Sequence, residues 1–171
     1  MVAPAWAIEG ALNPTVLRLH VRDELTDRTI VTCPPEAAPA PLAALLSIEG
    51  VRSLDLHRYR VRINLAPGGG RGHVTAAASA ALAGAWGAAT ELPPAGDPRA
   101  FAYPRRGRRV VAESLEMARA AREPVLIRLF AANGVAEAIA GDDLVLVRLG
   151  RMFGWEEVQD AVREALAGAV T

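Results

Sequence analysis

The chain has 171 residues, of which 51% are apolar and 22% are charged, and its nineteen arginines balance nineteen Asp and Glu residues. With a pI near 6.8 and a mean hydropathy of +0.19, these values exclude a disordered or fibrous chain, and no run of eighteen apolar residues predicts a membrane span. A net charge of zero provides no long-range attraction to nucleic acid or anionic lipid. The single cysteine and an N-terminus without a signal-peptide pattern predict a cytoplasmic protein.

An internal repeat organises the sequence. Residues 45–51 (LLSIEGV) align with residues 129–135 (LFAANGV) at an offset of 84, which superimposes Gly50 on Gly134. The same offset aligns Asn13-Pro14 with Asp97-Pro98, Leu17 and Leu19 with Phe101 and Tyr103, and Val61 and Ile63 with Val145 and Val147. This agreement in one register predicts two units, residues 10–87 and 97–168, joined by a linker over 88–96.

Both units have the same predicted order of elements, β-β-α-β-β-α. In the first unit the patterns predict strands at 17–21, 28–32, 51–56 and 59–64, with 28–32 pairing with 17–21, and helices that begin at Pro41 and span 73–86. In the second unit they predict strands at 101–103, 109–112, 135–140 and 143–148, and helices at 115–121 with Ser114 as N-cap, from Pro124 and from Trp155. Such an order is typical of an α+β fold in which each small antiparallel sheet carries its helices on one face.

The residues that carry the repeat resemble a known family. The segments that carry the resemblance are Leu12 to Leu19 (LNPTVLRL), Pro34 to Ala38 (PPEAA), Pro41 to Ala43 (PLA), Ile48 to Val51 (IEGV), Asp97-Pro98, Glu123 to Val125 (EPV) and Leu129 to Val135 (LFAANGV). They are similar to the N-terminal domain of the Nfu/NifU-type iron-sulfur scaffold proteins. The resemblance covers nearly the whole chain and implies a tandem repeat of that domain.

One family motif is missing from this sequence. In the family, the cluster ligands belong to a separate C-terminal domain with a Cys-x-x-Cys pair, and no such pair is present here. Because an iron-sulfur cluster usually takes four thiolates, a homodimer with two copies of Cys33 falls short. The resemblance therefore implies a non-catalytic interaction or accessory module of iron-sulfur cluster assembly, without a cluster of its own. Its partner would be the iron-sulfur assembly machinery or an acidic protein.

The sequence contains no assignable catalytic constellation, cofactor motif or metal-ligand spacing. His20, His57 and His73 are too dispersed for a local metal motif, although a site of His20, His57 and Cys33 is one of many arrangements that folding could produce. The glycine-rich loop at 67–72 lacks the Lys-Ser/Thr ending of a P-loop. We therefore expect no cofactor and no enzymatic activity.

Strand alternation predicts a basic surface. If Leu17, Leu19, Val21, Tyr59, Val61 and Ile63 face the helices, the opposite side of the sheet carries the residues that we call the arginine face: Arg18, His20, Arg22, Arg58, Arg60 and Arg62. This face is either a solvated surface or an interaction surface for an acidic partner. Its counterpart in the second unit carries Leu144 and Leu146, which predicts packing against the first unit or against a second subunit in a homodimer.

Two functional classes are consistent with these features. The first is a protein-interaction module in or near iron-sulfur cluster assembly, which the resemblance implies. The second is a nucleic-acid-binding module that uses the arginine face. Proteins that bind single strands usually add aromatic stacking platforms to positive charge, and the arginine face has no such aromatic residue. The favoured partner is therefore a protein, rather than nucleic acid or a membrane.

Overall fold

The computed structural model describes residues 6–10, 12–90, 92 and 97–168. The first half contains β1 (Trp6–Gly10), β2 (Val16–Val21), a 3-10 turn (Pro35–Ala37), α1 (Ala40–Ala43), a second 3-10 turn (Ala44–Ser47), β3 (Val51–His57), β4 (Arg60–Leu65) and α2 (Arg71–Trp86). The second half contains β5 (Arg99–Ala102), β6 (Val110–Ala112), α3 (Leu115–Ala120), α4 (Pro124–Leu129), β7 (Val135–Ala140), β8 (Leu144–Leu149) and α5 (Trp155–Ala167). The predicted α+β fold with two antiparallel sheets is confirmed.

Each sheet has four antiparallel strands and buries one face against helices. The strand order is β1-β2-β4-β3 in the first sheet and β5-β8-β7-β6 in the second. In the first half the apolar face of β2 and β4 packs against α2, whose residues Val74, Ala78 and Leu82 are fully buried. In the second half β7 and β8 pack in the same way against α4 and α5, with Leu126 and Val162 fully buried. Each half therefore has its own hydrophobic core.

The two halves share fine details of backbone structure. The pairing of β3 with β4 shifts register between Val51 and Ser53, and the pairing of β7 with β8 shifts between Val135 and Glu137. These positions are related by the predicted offset of 84. The glycine before each bulged strand has a positive φ, +91° at Gly50 and +95° at Gly134, a conformation that glycine adopts without steric cost.

The offset is different at the first strand of the repeat. Leu19 pairs with Val61, and Phe101 pairs with Val145, the equivalent of Val61. Leu19 is therefore the counterpart of Phe101, and the predicted match of Leu17 with Phe101 is wrong by two residues. A shift of two residues preserves the alternation of a strand, so the assignment of residues to the two faces survives it.

The predicted strand at 28–32 is wrong. Only Ile30 forms an isolated antiparallel bridge, and its partner is Leu56 of β3 rather than a residue of 17–21. Thr32 turns the chain away with a φ of +50°. The free edge of β2 is instead covered by β1, which the sequence analysis did not predict.

The segment between the halves is described only in part. Of the predicted linker at 88–96, residues 91 and 93–96 lie outside the described residues. Thr90 forms a parallel bridge with Ala7, and its backbone N–H donates to the carbonyl of Trp6 over 2.8 Å. None of the helices in the described ranges has the length and apolar character needed to cross a membrane.

Candidate functional site

The hairpin turn between β3 and β4 joins the two halves. Arg58 and Tyr59 form this turn, so strand alternation does not apply to them. Arg58 is 6% exposed and donates hydrogen bonds to the carbonyls of Val135 (2.9 Å) and Ala132 (3.4 Å) in the second half. Its other terminal nitrogen lies 2.9 Å from a carboxylate oxygen of Glu24. The prediction of Arg58 on an open surface is therefore wrong, because the second half covers it.

Tyr59 contacts the second half instead of the helices of the first. Its hydroxyl accepts a hydrogen bond from the N–H of Gly134 and donates one to Oδ1 of Asn133, both over 2.9 Å. Its ring meets Phe153 edge to face at 4.9 Å, which is within the favourable range for aromatic pairs. The predicted orientation of Tyr59 is wrong for the same reason as that of Arg58.

A cleft of about 310 Å³ opens between the halves beside this junction. Its first-half wall consists of Glu9, Arg18, His20, His57, Arg58, Tyr59 and Arg60, and its second-half wall consists of Glu113, Ala136, Glu137, Arg148, Leu149, Gly150 and Arg151. This volume lies at the lower end of the range for small-molecule sites, about 300 to 1,000 Å³. Charged side chains dominate the walls, so the cleft suits a small charged group better than an apolar ligand.

Cross-strand pairing places the first-half residues of the cleft in rows. His20 of β2 lies opposite Arg60 of β4, and Arg60 lies opposite His57 of β3. In the next row Arg18 lies opposite Arg62. Since directly opposed residues have Cα atoms about 4.5 to 5.5 Å apart, Arg60 stands between the two histidines.

His20 is held in a polar network at the floor of the cleft. Its Nε2 lies 2.6 Å from Oε2 of Glu9, whose other oxygen accepts a hydrogen bond from Arg151 over 3.1 Å. Burial lowers the pKa of His20 to about 4 despite the opposing effect of Glu9. Burial alone would raise the pKa of Glu9, but His20, Arg151 and Arg18 outweigh it and lower that pKa. At neutral pH, Glu9 is charged and His20 is neutral.

Three guanidinium groups are neighbours on this side of the first sheet: Arg18 and Arg60 in the cleft wall, and Arg62 just outside it. Burial, followed by repulsion from Arg18 and Arg62, lowers the pKa of Arg60. The Nε of Arg60 is buried and has no hydrogen-bond partner among the described residues. Among the described residues, neither Arg18 nor Arg60 forms an ion pair. The Nε of Arg62 lies 4.0 Å from Oδ2 of Asp55, which is its one ion pair there. The wall therefore carries positive charge that its own carboxylates do not neutralise by direct contact.

Comparison of the chain with protein-family models, with curated proteins and with solved structures finds no match.

The structure divides the predicted arginine face into residues on the cleft side of the first sheet and residues that contact the second half. Arg18, His20 and Arg60 line the cleft, and Arg62 is exposed on the same side of the sheet. Arg22 instead contacts the second half: it donates to the carbonyl of Met152 over 2.8 Å, pairs with Glu157 and stacks on Phe153. The single open basic surface predicted from the sequence is wrong for His20, which is 4% exposed, as well as for Arg58.

Leu144 and Leu146 lie on the face of the second sheet that none of the described helices covers. Leu144 is 38% exposed and Leu146 is half-buried. The junction with the first half is formed elsewhere, by the loops around Asn133 and Met152. Whether a second subunit covers this face stays a prediction.

The imagined three-ligand site of His20, His57 and Cys33 is not formed. Cys33 lies in the hydrophobic core on the helix side of the first sheet, whereas both histidines are on the opposite side. Burial raises the pKa of the Cys33 thiol, with a smaller effect from Glu36. Among the described residues, no three His, Cys, Asp or Glu side chains form a group that could hold a metal ion.

The second-half wall of the cleft was not predicted from the sequence. Glu137 and Arg148 form an ion pair over 2.9 Å, and Arg151 reaches across to Glu9. The repeat aligns Glu137 with Ser53 and Arg148 with Asn64, residues that contact each other in the first sheet over 3.0 Å. The aligned repeats thus show a charged pair in the second unit where the first has a neutral pair. This difference was an available signal for the second-half wall.

Proposed function

We propose that the protein is a non-catalytic interaction module that binds an acidic segment of a protein partner in the cleft between its two halves. The observation that carries this proposal is the group formed by Arg18, Arg60 and Arg62. Like charges that repel one another are stabilised by an anion that binds beside them. A carboxylate accepts two parallel hydrogen bonds from one guanidinium, which makes it a suitable occupant.

The charge pattern of the cleft favours a short acidic segment over a polyanion. Glu9, Glu113 and Glu137 also line it, so a polyanion that runs past the arginines meets these carboxylates, whereas a segment with one or two acidic side chains needs only the space beside the arginines. A cleft of about 310 Å³ holds one or two carboxylate side chains. The aromatic ring in its wall, Tyr59, is buried against Phe153 and is not free to stack on a base. A nucleic-acid ligand is therefore the second alternative.

The residues of the cleft support binding rather than catalysis. None of the described residues that line it is Ser, Thr, Cys or Lys, so it offers no aliphatic hydroxyl, thiol or amine as a nucleophile. Two histidines are present, yet burial lowers the pKa of each to about 4. A general acid or base works best with a pKa near the operating pH.

The identity of the partner follows only from the resemblance. The similarity to Nfu/NifU N-terminal domains implies that the partner belongs to the iron-sulfur assembly machinery. This similarity rests on the short sequence motifs alone. We propose this class of partner on that basis.

The test of the proposed function is binding of the full chain to a short fluorescent oligoglutamate, a peptide with two adjacent glutamates between neutral residues. We expect saturable binding that weakens with salt, because the Debye length shortens from about 10 Å at 0.1 M to about 3 Å at 1 M. Arg18→Gln/Arg60→Gln should reduce the affinity roughly tenfold or more. The matched control is Arg108→Gln/Arg163→Gln, which changes two exposed arginines that do not line the cleft.

Two results would overturn the proposal. If an oligonucleotide of similar length binds and oligoglutamate does not, the nucleic-acid alternative is correct. If both double variants bind oligoglutamate equally well, the attraction is a general property of the surface and the cleft has no part in it.

A further inference from the structure

The two sheets present opposite chemistry at equivalent positions of their open faces. In register, Asp55 lies opposite Arg62 in the first sheet, and Ile139 lies opposite Leu146 in the second. The equivalent residues of the first and second faces are Arg18 and Ala100, His20 and Ala102, Asp55 and Ile139, His57 and Gly141, Arg60 and Leu144, and Arg62 and Leu146. Six polar or charged positions thus become six apolar or small ones.

Two large apolar side chains of this face are exposed. Leu144 and Val111 are 38% and 41% exposed, and Val111 lies opposite Ile139. A sheet face that meets only solvent is normally polar. A contiguous exposed patch of apolar side chains instead indicates an interaction site.

The apolar face continues directly into the cleft. A shallow hollow beside the cleft is lined by Pro98, Glu137, Ile139, Leu146 and Arg148. Glu137 and Arg148 also line the cleft itself. The basic wall and the apolar face are therefore two parts of one continuous surface, with the Glu137–Arg148 pair at their boundary.

We infer that this apolar face is the second part of the proposed binding surface, and that the occupant is an extended peptide segment in which acidic residues adjoin alternating apolar side chains. The inference rests on the proposed function, because the arginines of the cleft fix where the acidic end lies. Leu144, Leu146 and Arg148 follow one another along one face of β8 at intervals of about 6.8 Å. An extended peptide has the same repeat, so its alternate side chains match these positions.

Selection from a random peptide library displayed on phage tests the inference without choosing a ligand in advance. The full chain is compared with Arg18→Gln/Arg60→Gln and with Ile139→Asp/Leu146→Arg. The latter introduces the ion pair that the first sheet holds in the same register, so the fold has a precedent for it. Val31→Asp is the control, because Val31 is 71% exposed and lies outside both surfaces.

We expect the wild-type chain and the Val31 control to enrich peptides with acidic residues beside alternating apolar ones. The Ile139/Leu146 variant should enrich acidic peptides without the apolar pattern. Replacing the apolar residues of a selected peptide by Ser should weaken its binding to the wild type roughly tenfold, and leave its binding to that variant unchanged.

The remaining outcomes distinguish the two proposals. Acidic peptides with no apolar pattern on the wild type would overturn the inference and leave the proposed function intact. Enrichment that is unaffected by Arg18→Gln/Arg60→Gln, or no enrichment at all, would overturn both. If sedimentation detects a dimer that Ile139→Asp/Leu146→Arg abolishes, the apolar face is covered by a second copy and the peptide inference is wrong.

Discussion

The guanidinium of Arg58 and the backbone carbonyl of Val135 are joined by a hydrogen bond of 2.9 Å, which links the first half to the first residue of β7 in the second. The same side chain lies 5.5 Å from the centre of the Phe130 ring, a favourable cation-π distance. Because the cleft opens beside this contact, the docking of the halves determines the shape of the candidate site.

Removal of Arg58 should destabilise the protein through this junction. Arg58→Ala leaves the Val135 carbonyl without its donor and exposes packed surface, so we expect a loss of about 2 to 4 kcal/mol in the free energy of unfolding. Arg62→Ala is the matched control, because a 46% exposed side chain with a distant ion pair should cost less than about 1 kcal/mol. Urea denaturation measures both, and equal losses would contradict the assigned role of Arg58.

The Tyr59 hydroxyl provides a second test of the junction. Tyr59→Phe preserves the contact with Phe153 but leaves the buried N–H of Gly134 without an acceptor. We expect a cost of about 1 to 3 kcal/mol in unfolding free energy. Hydrogen exchange of the Gly134 amide should accelerate in the variant, and an unchanged rate would show that the hydroxyl does not protect it.

Substitution of Gly134 should be more costly than substitution of Gly68. Both glycines have a positive φ, but a Cβ added at Gly68 has no described atom within 4 Å, whereas a Cβ added at Gly134 lies 2.8 Å from a ring carbon of Phe153. Gly68→Ala therefore measures the backbone strain alone, about 1 kcal/mol. Gly134→Ala should cost about 1 to 3 kcal/mol more because of the overlap. Equal melting temperatures for the two variants would contradict the packing at Gly134.

The free energy of unfolding should decrease as the pH is lowered, because the buried histidines become protonated. The pKa values of His20 and His57 are lowered from 6.5 to about 4 by burial, so the unfolded chain binds more protons between these values. Unfolding free energy should decrease as the pH falls from about 6.5 to about 4, by up to roughly 3 kcal/mol for His20. His20→Gln should flatten this dependence, and His73→Gln, an exposed control, should not.

The repeat was predictable because its signals are local in the chain. Gly50 and Gly134 occupy equivalent turns directly before β3 and β7, and strand alternation assigned Leu19 and Val61 correctly to the core face. The strand at 28–32 failed because its β-branched residues have strand propensity, while β1 already covers the edge of β2. The alternation of Trp6 and Ile8 with Ala7 and Glu9 was the available signal for β1, since Trp6 and Ile8 face the core.

The candidate site was only partly predictable. Alternation correctly placed Arg18, His20, Arg60 and Arg62 on one side of the sheet. It could not indicate that the second half covers Arg58 and leaves Arg60 at the wall of a cleft, because that outcome depends on how two folded units dock. Docking of this kind involves turn residues far apart in sequence, and neither helical nor strand periodicity encodes it.

The most direct test of the central claim is the NMR signal of the Arg60 Nε–H group during titration with oligoglutamate. A carboxylate bound to the guanidinium groups of Arg60 and Arg18 changes the electrostatic environment of their Nε–H groups, so the account predicts a large, saturable shift of these two signals, with no comparable shift at Arg163. Saturable binding that leaves the Arg60 signal unchanged, or that shifts all exposed arginines alike, would contradict it.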